Sequence, residues 1–138
     1  MDTLTANNVK IVGGLYYGHT SSSFIYHPHP NYYPAFEFHG QKGDLVTISV
    51  SSYDGDAMAW LLSGSFKTLA RNDDANDGTL DSRIHAVLPG NINPNITKYY
   101  IAFRDYYLEQ ANFTVRLSKE FVWPFLYPIR TDRPRREK

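Results

Sequence analysis

The fold is decided by the stretch Lys42-Gly43-Asp44-Leu45-Val46-Thr47-Ile48-Ser49-Val50. It opens with the turn-forming residues Gly43 and Asp44, after which apolar and polar side chains alternate. A period of two is typical of a strand with one buried face. We therefore predict a half-buried strand over residues 45–52, with its valines and isoleucine pointing inward. A preceding strand over residues 35–39 joins it through a hairpin turn.

The same alternation recurs along the chain, over residues 83–88, 98–105 and 112–118. Shorter or irregular strands are predicted over residues 9–12, 15–33 and 66–70. The run 57–62 is apolar on both faces and ends at Ser63-Gly64-Ser65. A buried helix is the competing interpretation, but a run of about six residues is short for a helix and suits a central strand covered on both sides. The pattern predicts an all-β, antiparallel β-sandwich.

Length and composition narrow the function classes. At 138 residues the chain has the length of one domain, which we place at residues 9–118, between a flexible leader (1–8) and an aromatic then basic extension (119–138).

The formal net charge of zero argues against nucleic acid as a partner. Without cysteine, disulfides and thiolate metal sites are excluded. Residues 1–8 lack the pattern of a signal peptide, and no apolar run approaches the roughly 18 residues that span a bilayer.

An acidic stretch, residues 72–82, is the strongest candidate for a metal site. Its oxygen ligands are Asn72, Asp73, Asp74, Asp77 and Asp81. Carboxylates this close repel one another unless water, salt or a hard cation such as calcium neutralises them. A plain polar loop between two strands explains the stretch equally well.

A second acidic turn is the expected complement of this stretch. Loops distant in sequence gather at one end of a sandwich, so Asp54 or Asp56 can join the acidic stretch around one ion. The spacing does not fit a helix-loop-helix calcium site, because Ala75 takes a ligand position and Ile84 stands where the bidentate glutamate belongs. Any calcium ion must therefore be held by the sandwich itself.

No catalytic set is indicated. The pair His27 and His29 leaves a tetrahedral zinc site incomplete. Phosphate loops, zinc-protease motifs and nucleophile elbows do not occur in the sequence. We therefore expect a protein that is not an enzyme.

The order of these strands and turns resembles the bacterial pre-peptidase C-terminal domain family, a jelly-roll-like β-sandwich. The resemblance spans about residues 33–117. It rests on the segments 35–38 (AFEF), 42–50, 54–56 (DGD) with 60–62 (WLL), 69–74 (LARNDD), 80–84 (LDSRI), 98–103 (KYYIAF) and 113–115 (FTV). It implies calcium near the carboxylates in some relatives, no catalysis, and a role in secretion, localisation or adhesion. This chain departs from the pattern in carrying no peptidase and in extending beyond the family region.

Two functions follow as hypotheses. The first is a non-catalytic secreted, periplasmic or cell-surface module that binds a protein or an extracellular polymer. Its tyrosines suit binding because they bury a large area with few rotatable bonds, and the candidates at predicted loops are Tyr32, Tyr33, Tyr53, Tyr106 and Tyr107. The second is a structural subunit that forms homo-oligomers through an apolar segment, with candidate interface residues Phe121, Trp123, Phe125 and Tyr127.

Overall fold

The computed structural model describes residues 2–28, 32–72, 80–90 and 96–120. Every regular element in these ranges is a strand. The strands are β1 (Val9–Gly14), β2 (His19–Thr20), β3 (Phe24–Tyr26), β4 (Tyr33–Gln41), β5 (Leu45–Ser51), β6 (Ala57–Ser63), β7 (Thr68–Asn72), β8 (Ser82–Val87), β9 (Ile96–Asp105) and β10 (Ala111–Glu120). No helix in this part of the chain is long and apolar enough to cross a membrane.

The strands form two packed sheets with the order of a jelly roll. One sheet runs β1-β4-β9-β6-β7 and the other β2-β10-β5-β8, with β3 following β2 along the same edge of β10. From β3 onward the two sheets are thus β4-β9-β6-β7 and β3-β10-β5-β8, which is the four-plus-four arrangement of a jelly roll. The predicted antiparallel sandwich is confirmed, with one exception: β1 pairs parallel to β4.

The main core lies between the sheets and contains the residues that alternation assigned to the inside. Ile48 of β5 pairs with Leu117 of β10 and with Ile84 of β8, and all three are buried. From the facing sheet, Leu61 and Phe103 complete the same cluster. The period of two therefore predicted the inward residues correctly, because each side chain of a strand points opposite to its neighbours.

Strand β6 is buried on both faces, as its composition predicts. Its residues Ala57, Ala59 and Leu61 enter the main core, whereas Met58, Trp60 and Leu62 form a second cluster on the outer face of the sheet. Phe66 packs against this outer cluster and its ring stacks on Tyr100 at a centroid distance of 4.7 Å. The opposite sheet covers only the inner face. The apolar side chains of the outer face therefore need a separate cover.

That cover comes from the N-terminal segment, residues 2–8, and here the structure differs from the predicted flexible leader. Leu4 is 7% exposed and belongs to the outer cluster. Asn8 folds the segment into a compact turn: its Oδ1 accepts a hydrogen bond from Thr5 N (2.7 Å) and its Nδ2 donates one to Thr3 O (2.7 Å). Its carbonyl accepts a bond from Tyr33 N at 2.6 Å, which ties the segment to β4.

The buried carboxylate of Asp44 locks the turn between β4 and β5. It accepts hydrogen bonds from the Gln41 backbone and the Tyr17 hydroxyl (each 2.8 Å), and its other oxygen lies 3.1 Å from Lys119 Nζ. Burial works to raise the pKa of Asp44, but the bonds from Gln41, Tyr17 and Lys119 more than offset it and lower that pKa.

The lowered pKa of Asp44 predicts an acid-sensitive contribution to stability. Because the unfolded carboxyl, with a pKa near 3.8, binds its proton more readily than the folded one, the contribution is present above that pH and is lost as the pH falls through the folded value. We expect Asp44→Asn to lower the free energy of unfolding in urea at pH 7 and to flatten its decline below pH 4. An equally steep decline in the variant would contradict the assignment.

Candidate functional site at the loop end

Four connections gather at one end of the sandwich, which we call the loop end. Because neighbouring strands run antiparallel, the connections β3–β4, β5–β6, β7–β8 and β9–β10 all emerge there. The described parts of three of them enclose an open cleft of about 520 Å³. It is lined by Ser52, Tyr53, Asp54, Gly55, Asp56, Leu80, Asp81, Asp105, Tyr107 and Glu109.

The cleft brings together three residues that the sequence proposed as metal ligands, namely Asp54, Asp56 and Asp81. Loops distant in sequence thus meet at this end, as a sandwich requires. The two other acids of the cleft, Asp105 and Glu109, were not predicted from the sequence. A usable signal existed for Asp105, since an aspartate that ends an alternating strand is well placed to bond the backbone of the turn that follows.

Asp105 organises the turn from residue 105 to residue 109, which we call the tyrosine turn. The residue is only 2% exposed. Its carboxylate oxygens accept hydrogen bonds from Asp56 N (2.8 Å), Tyr107 N (3.0 Å) and Glu109 N (3.0 Å). One buried carboxylate thereby joins the β5–β6 connection to the β9–β10 connection. Buried charge is tolerated here because donors surround it.

Asp54 makes a second link, from the β5–β6 connection to β10. Its oxygens accept hydrogen bonds from Asn112 N (2.9 Å) and Asn112 Nδ2 (3.0 Å), and from Ser52 Oγ (3.0 Å). These bonds, those from Asn112 foremost, hold the pKa of Asp54 below its usual value. Asp81 also bonds protein, accepting from Ser52 N at 3.2 Å.

The carboxylates of Asp54, Asp81 and Asp105 therefore bond loop backbones, and the described acids do not by themselves form a metal site. Across the described ranges, no group of three histidine, aspartate or glutamate side chains is close enough to hold an ion. Asn72 lies at the end of β7, where its Nδ2 donates to the carbonyl of Arg83 on β8. Asp73, Asp74 and Asp77 lie outside the described residues, so calcium binding stays a prediction from the sequence.

Exposed apolar side chains surround the cleft. Tyr53 is 84% exposed and Tyr107 66% exposed, and the rings of Tyr106 and Tyr107 meet edge to face at 5.0 Å. With the exposed Leu80 and Leu108, the loop end holds five of the ten large apolar side chains exposed in the described part of the chain. A second groove of about 400 Å³ shares Ser52 and Tyr53 with the cleft and is otherwise lined by Ser23, Ser51, Asn112, Phe113 and Thr114.

Leu108 shows that the shape of the tyrosine turn is enforced. Its φ of 57° lies in the left-handed region, which costs a side-chain-bearing residue about 1–2 kcal/mol. Leu108 N also donates to Asp105 O at 3.1 Å. Strain of this kind persists only where the surrounding contacts hold it, and it is common where a loop must present particular side chains.

Tyr32 and Tyr33 do not join this group. Tyr33 belongs to β4, where its ring meets Trp60 edge to face at 5.4 Å and its hydroxyl donates to Asp2 at 2.5 Å. Burial, followed by that bond, raises the pKa of Tyr33 to about 12. The ring of Tyr32 lies under Lys10 Nζ, 5.2 Å from its centroid. Tyr33 thus contacts the cover of the outer face, and Tyr32 contacts strand β1.

Two other groups of residues from the sequence analysis lie partly or wholly outside the described residues. His27, for which no metal site is predicted, is exposed, and His29 lies outside the described residues. The same holds for the predicted interface residues Phe121, Trp123, Phe125 and Tyr127.

Comparisons with known proteins support the fold. No protein-family model matches the sequence. No curated protein matches it either. Among solved structures, the fold is similar to the pre-peptidase C-terminal domain of collagenase from Bacillus anthracis, with a TM-score of 0.56, 14% identity, and coverage of 81% of this chain and 96% of that one. It is also similar to PliG of Aeromonas hydrophila, a periplasmic inhibitor of g-type lysozyme, with a TM-score of 0.55, 16% identity and coverage of 83% and 100%. The resemblance to the pre-peptidase C-terminal domain is thus confirmed at the level of the fold.

Proposed function

We propose that this protein is a non-catalytic, exported binding module whose loop end docks a positively charged partner protein. The observation that carries the proposal is the acidic cleft rimmed by Tyr53, Leu80 and Tyr107, with Tyr106 and Leu108 beside it. Exposed apolar side chains clustered at one place mark interaction surfaces, and tyrosines are frequent energetic anchors of such surfaces.

The negative charge of the cleft indicates the class of partner. The cleft is lined by the five carboxylate residues Asp54, Asp56, Asp81, Asp105 and Glu109, and its described lining contains no lysine or arginine. In a chain of zero formal net charge this acidity is a local feature. Complementary charge steers a basic partner toward the patch and disfavours an acidic one. For an extracellular polymer, the other partner considered from the sequence, the described residues offer no comparable feature.

The lining also supports a role without catalysis. The described lining of the cleft contains no histidine or lysine to activate a nucleophile, and the carboxylates of Asp54, Asp81 and Asp105 accept hydrogen bonds from loop amides. Ser52, its one hydroxyl besides the tyrosines, bonds Asp54 Oδ1 and accepts from Gly55 N at 2.8 Å. An exported location fits the fold, which is shared with a protein described as periplasmic.

Titration with short cationic probes tests the surface directly. We expect a lysine- and arginine-rich peptide, and a g-type lysozyme, which PliG inhibits, to shift the amide resonances of Tyr53, Asp81 and the tyrosine turn, with an effect that weakens as salt rises. A glutamate-rich peptide is the control. Shifts that spread evenly over acidic residues elsewhere, such as Asp44 or Glu120, would exclude the loop end as a docking surface.

Alanine variants separate the anchors from exposed tyrosines in general. We expect Tyr53→Ala and Tyr107→Ala each to weaken binding of the cationic probes tenfold or more, measured by calorimetry, since about 1.4 kcal/mol corresponds to a factor of ten. Tyr16→Ala is the matched control, because Tyr16 is 76% exposed and lies between β1 and β2, at the opposite end. Equal losses in the three variants would contradict the assignment.

The alternative, a subunit that assembles through its aromatic segment, is tested by mass in solution. Under that alternative, removal of residues 121–138, which leaves β10 and the Lys119–Asp44 ion pair intact, converts an oligomer into a monomer. The docking function proposed here predicts an unchanged mass and unchanged binding of the cationic probes. Light scattering coupled to size-exclusion chromatography distinguishes the two.

We also propose that a calcium ion, bound by the acidic stretch 72–82, stabilises the loop end. If calcium binds only the folded chain, it raises stability by mass action, by about 2.7 kcal/mol at a concentration 100 times its dissociation constant. We therefore expect a higher melting temperature in millimolar calcium than in chelator, and no comparable rise with magnesium. Equal melting temperatures in calcium and chelator would contradict the calcium site.

A further inference from the structure

The guanidinium of Arg104 lies between the N-terminal segment and the tyrosine turn. Its Nη1 donates to two carbonyls of the turn, Asp105 O (2.7 Å) and Tyr106 O (2.9 Å). Its Nε and Nη2 donate to the two carboxylate oxygens of Asp2, at 3.0 and 3.2 Å. One side chain therefore bonds a segment and a turn that lie about a hundred residues apart in sequence.

The position of Asp2 is set independently of Arg104. The Tyr33 hydroxyl donates to Asp2 Oδ1, and two residues later Leu4 is buried in the outer cluster. The Asp2 and Arg104 side chains are 16% and 13% exposed. Burial works to raise the pKa of Asp2, but the bonds from Arg104 and Tyr33, with the charge of Arg104, lower it overall. Asp2 is thus a charged anchor at the end of a packed segment.

A bidentate carboxylate fixes both the charge and the plane of an arginine. Without Asp2, the guanidinium would keep only two neutral carbonyls as described partners, in a site that is partly shielded from water. An arginine in that situation gains by rotating toward solvent, because a shielded charge without an opposite charge is costly. Rotation would break both bonds to the tyrosine turn. The carbonyls of Asp105 and Tyr106 would then lose this donor, and the side of the turn that faces away from the Asp105 carboxylate would be released.

We propose that Asp2 positions the tyrosine turn through Arg104, so that partner binding at the loop end depends on docking of the N-terminal segment; this inference rests on the proposed function. Asp105 holds the turn from the cleft side and Arg104 holds it from the outer face of the sheet. Tyr106 and Tyr107 project from the turn between these supports. Undocking of residues 2–8 therefore weakens the docking surface without breaking any contact inside the cleft.

Amide hydrogen exchange on the full chain tests the link without a partner. In Asp2→Asn we expect the amides of Tyr107 and Glu109 to exchange at least tenfold faster than in the wild type, while that of Ile101 in β9 is unchanged. Asp44→Asn is the matched control, because it removes a buried, charge-paired carboxylate at the opposite end. If Tyr107 and Glu109 exchange within twofold of the wild-type rate in Asp2→Asn, or accelerate equally in Asp44→Asn, the positioning role is wrong.

A milder variant guards against general loss of structure. Tyr33→Phe removes the hydroxyl that anchors Asp2 and keeps the ring against Trp60, so we expect a smaller acceleration at the same two amides. Arg104→Gln removes the link itself and should match or exceed Asp2→Asn. Acceleration in Asp2→Asn with none in Arg104→Gln would overturn the proposal, since the effect would then not pass through Arg104.

Binding of the lysine- and arginine-rich peptide separates this inference from the proposed function. We expect Asp2→Asn to weaken that binding three- to tenfold, although Asp2 is no part of the cleft. Faster exchange of the turn amides with unchanged peptide affinity overturns the dependence of binding on Asp2. If the wild type fails to bind the peptide, the proposed docking function is contradicted. The exchange rates alone then decide whether Asp2 positions the turn.

Discussion

The structure depends on one constraint: strands β6 and β9 carry apolar side chains on both faces, and each face must be covered. The inner face packs on the opposite sheet, through Leu61 and Phe103. The outer face presents Trp60, Leu62 and Tyr100, which no second sheet covers. Leu4, Val9 and Phe66 cover it instead. A strand buried on both sides therefore requires the irregular segments around it to fold as well.

This requirement connects the core to the loop end. The segment that covers the outer face brings Asp2 to Arg104, and Arg104 bonds the carbonyls of the tyrosine turn. From the cleft side, the buried carboxylate of Asp105 holds the same turn by its amides. The strained backbone of Leu108 is kept in place by these two sets of bonds. A rigid sandwich thus displays exposed tyrosines on short, well-bonded loops, which is how binding surfaces are commonly built.

Much of the fold was predictable from sequence because alternation is a local property. The half-buried strand at Leu45–Ser51 and the doubly buried strand at Ala57–Ser63 are correct for that reason. The gathering of Asp54, Asp56 and Asp81 followed from the sandwich, since its strand ends meet. The tyrosines show where this reasoning stops: Tyr33 and Tyr53 look alike in sequence, yet one packs on Trp60 and the other is exposed.

Apart from the position of Asp105 at the end of an alternating strand, the local sequence pattern does not indicate the bonds that organise the loop end. Asp105 bonds Asp56 across 49 positions and Arg104 bonds Asp2 across 102. Each is a single carboxylate meeting donors that only the topology brings near. Residues 1–8 have no apolar period and therefore predict a leader, yet Leu4 packs in the outer cluster, which exists only once β6 is folded.

The most direct test of the account is the stability of Leu4→Ala compared with Leu80→Ala, measured as the free energy of unfolding in urea. If the outer face needs its cover, Leu4→Ala should cost about 2 kcal/mol or more, as truncation of a buried leucine does. Leu80→Ala, at a leucine that is 55% exposed on the rim of the cleft, should change the free energy by less than about 0.5 kcal/mol. Equal and small effects in both variants would contradict the account, because the N-terminal segment would then not be held by the strand it covers.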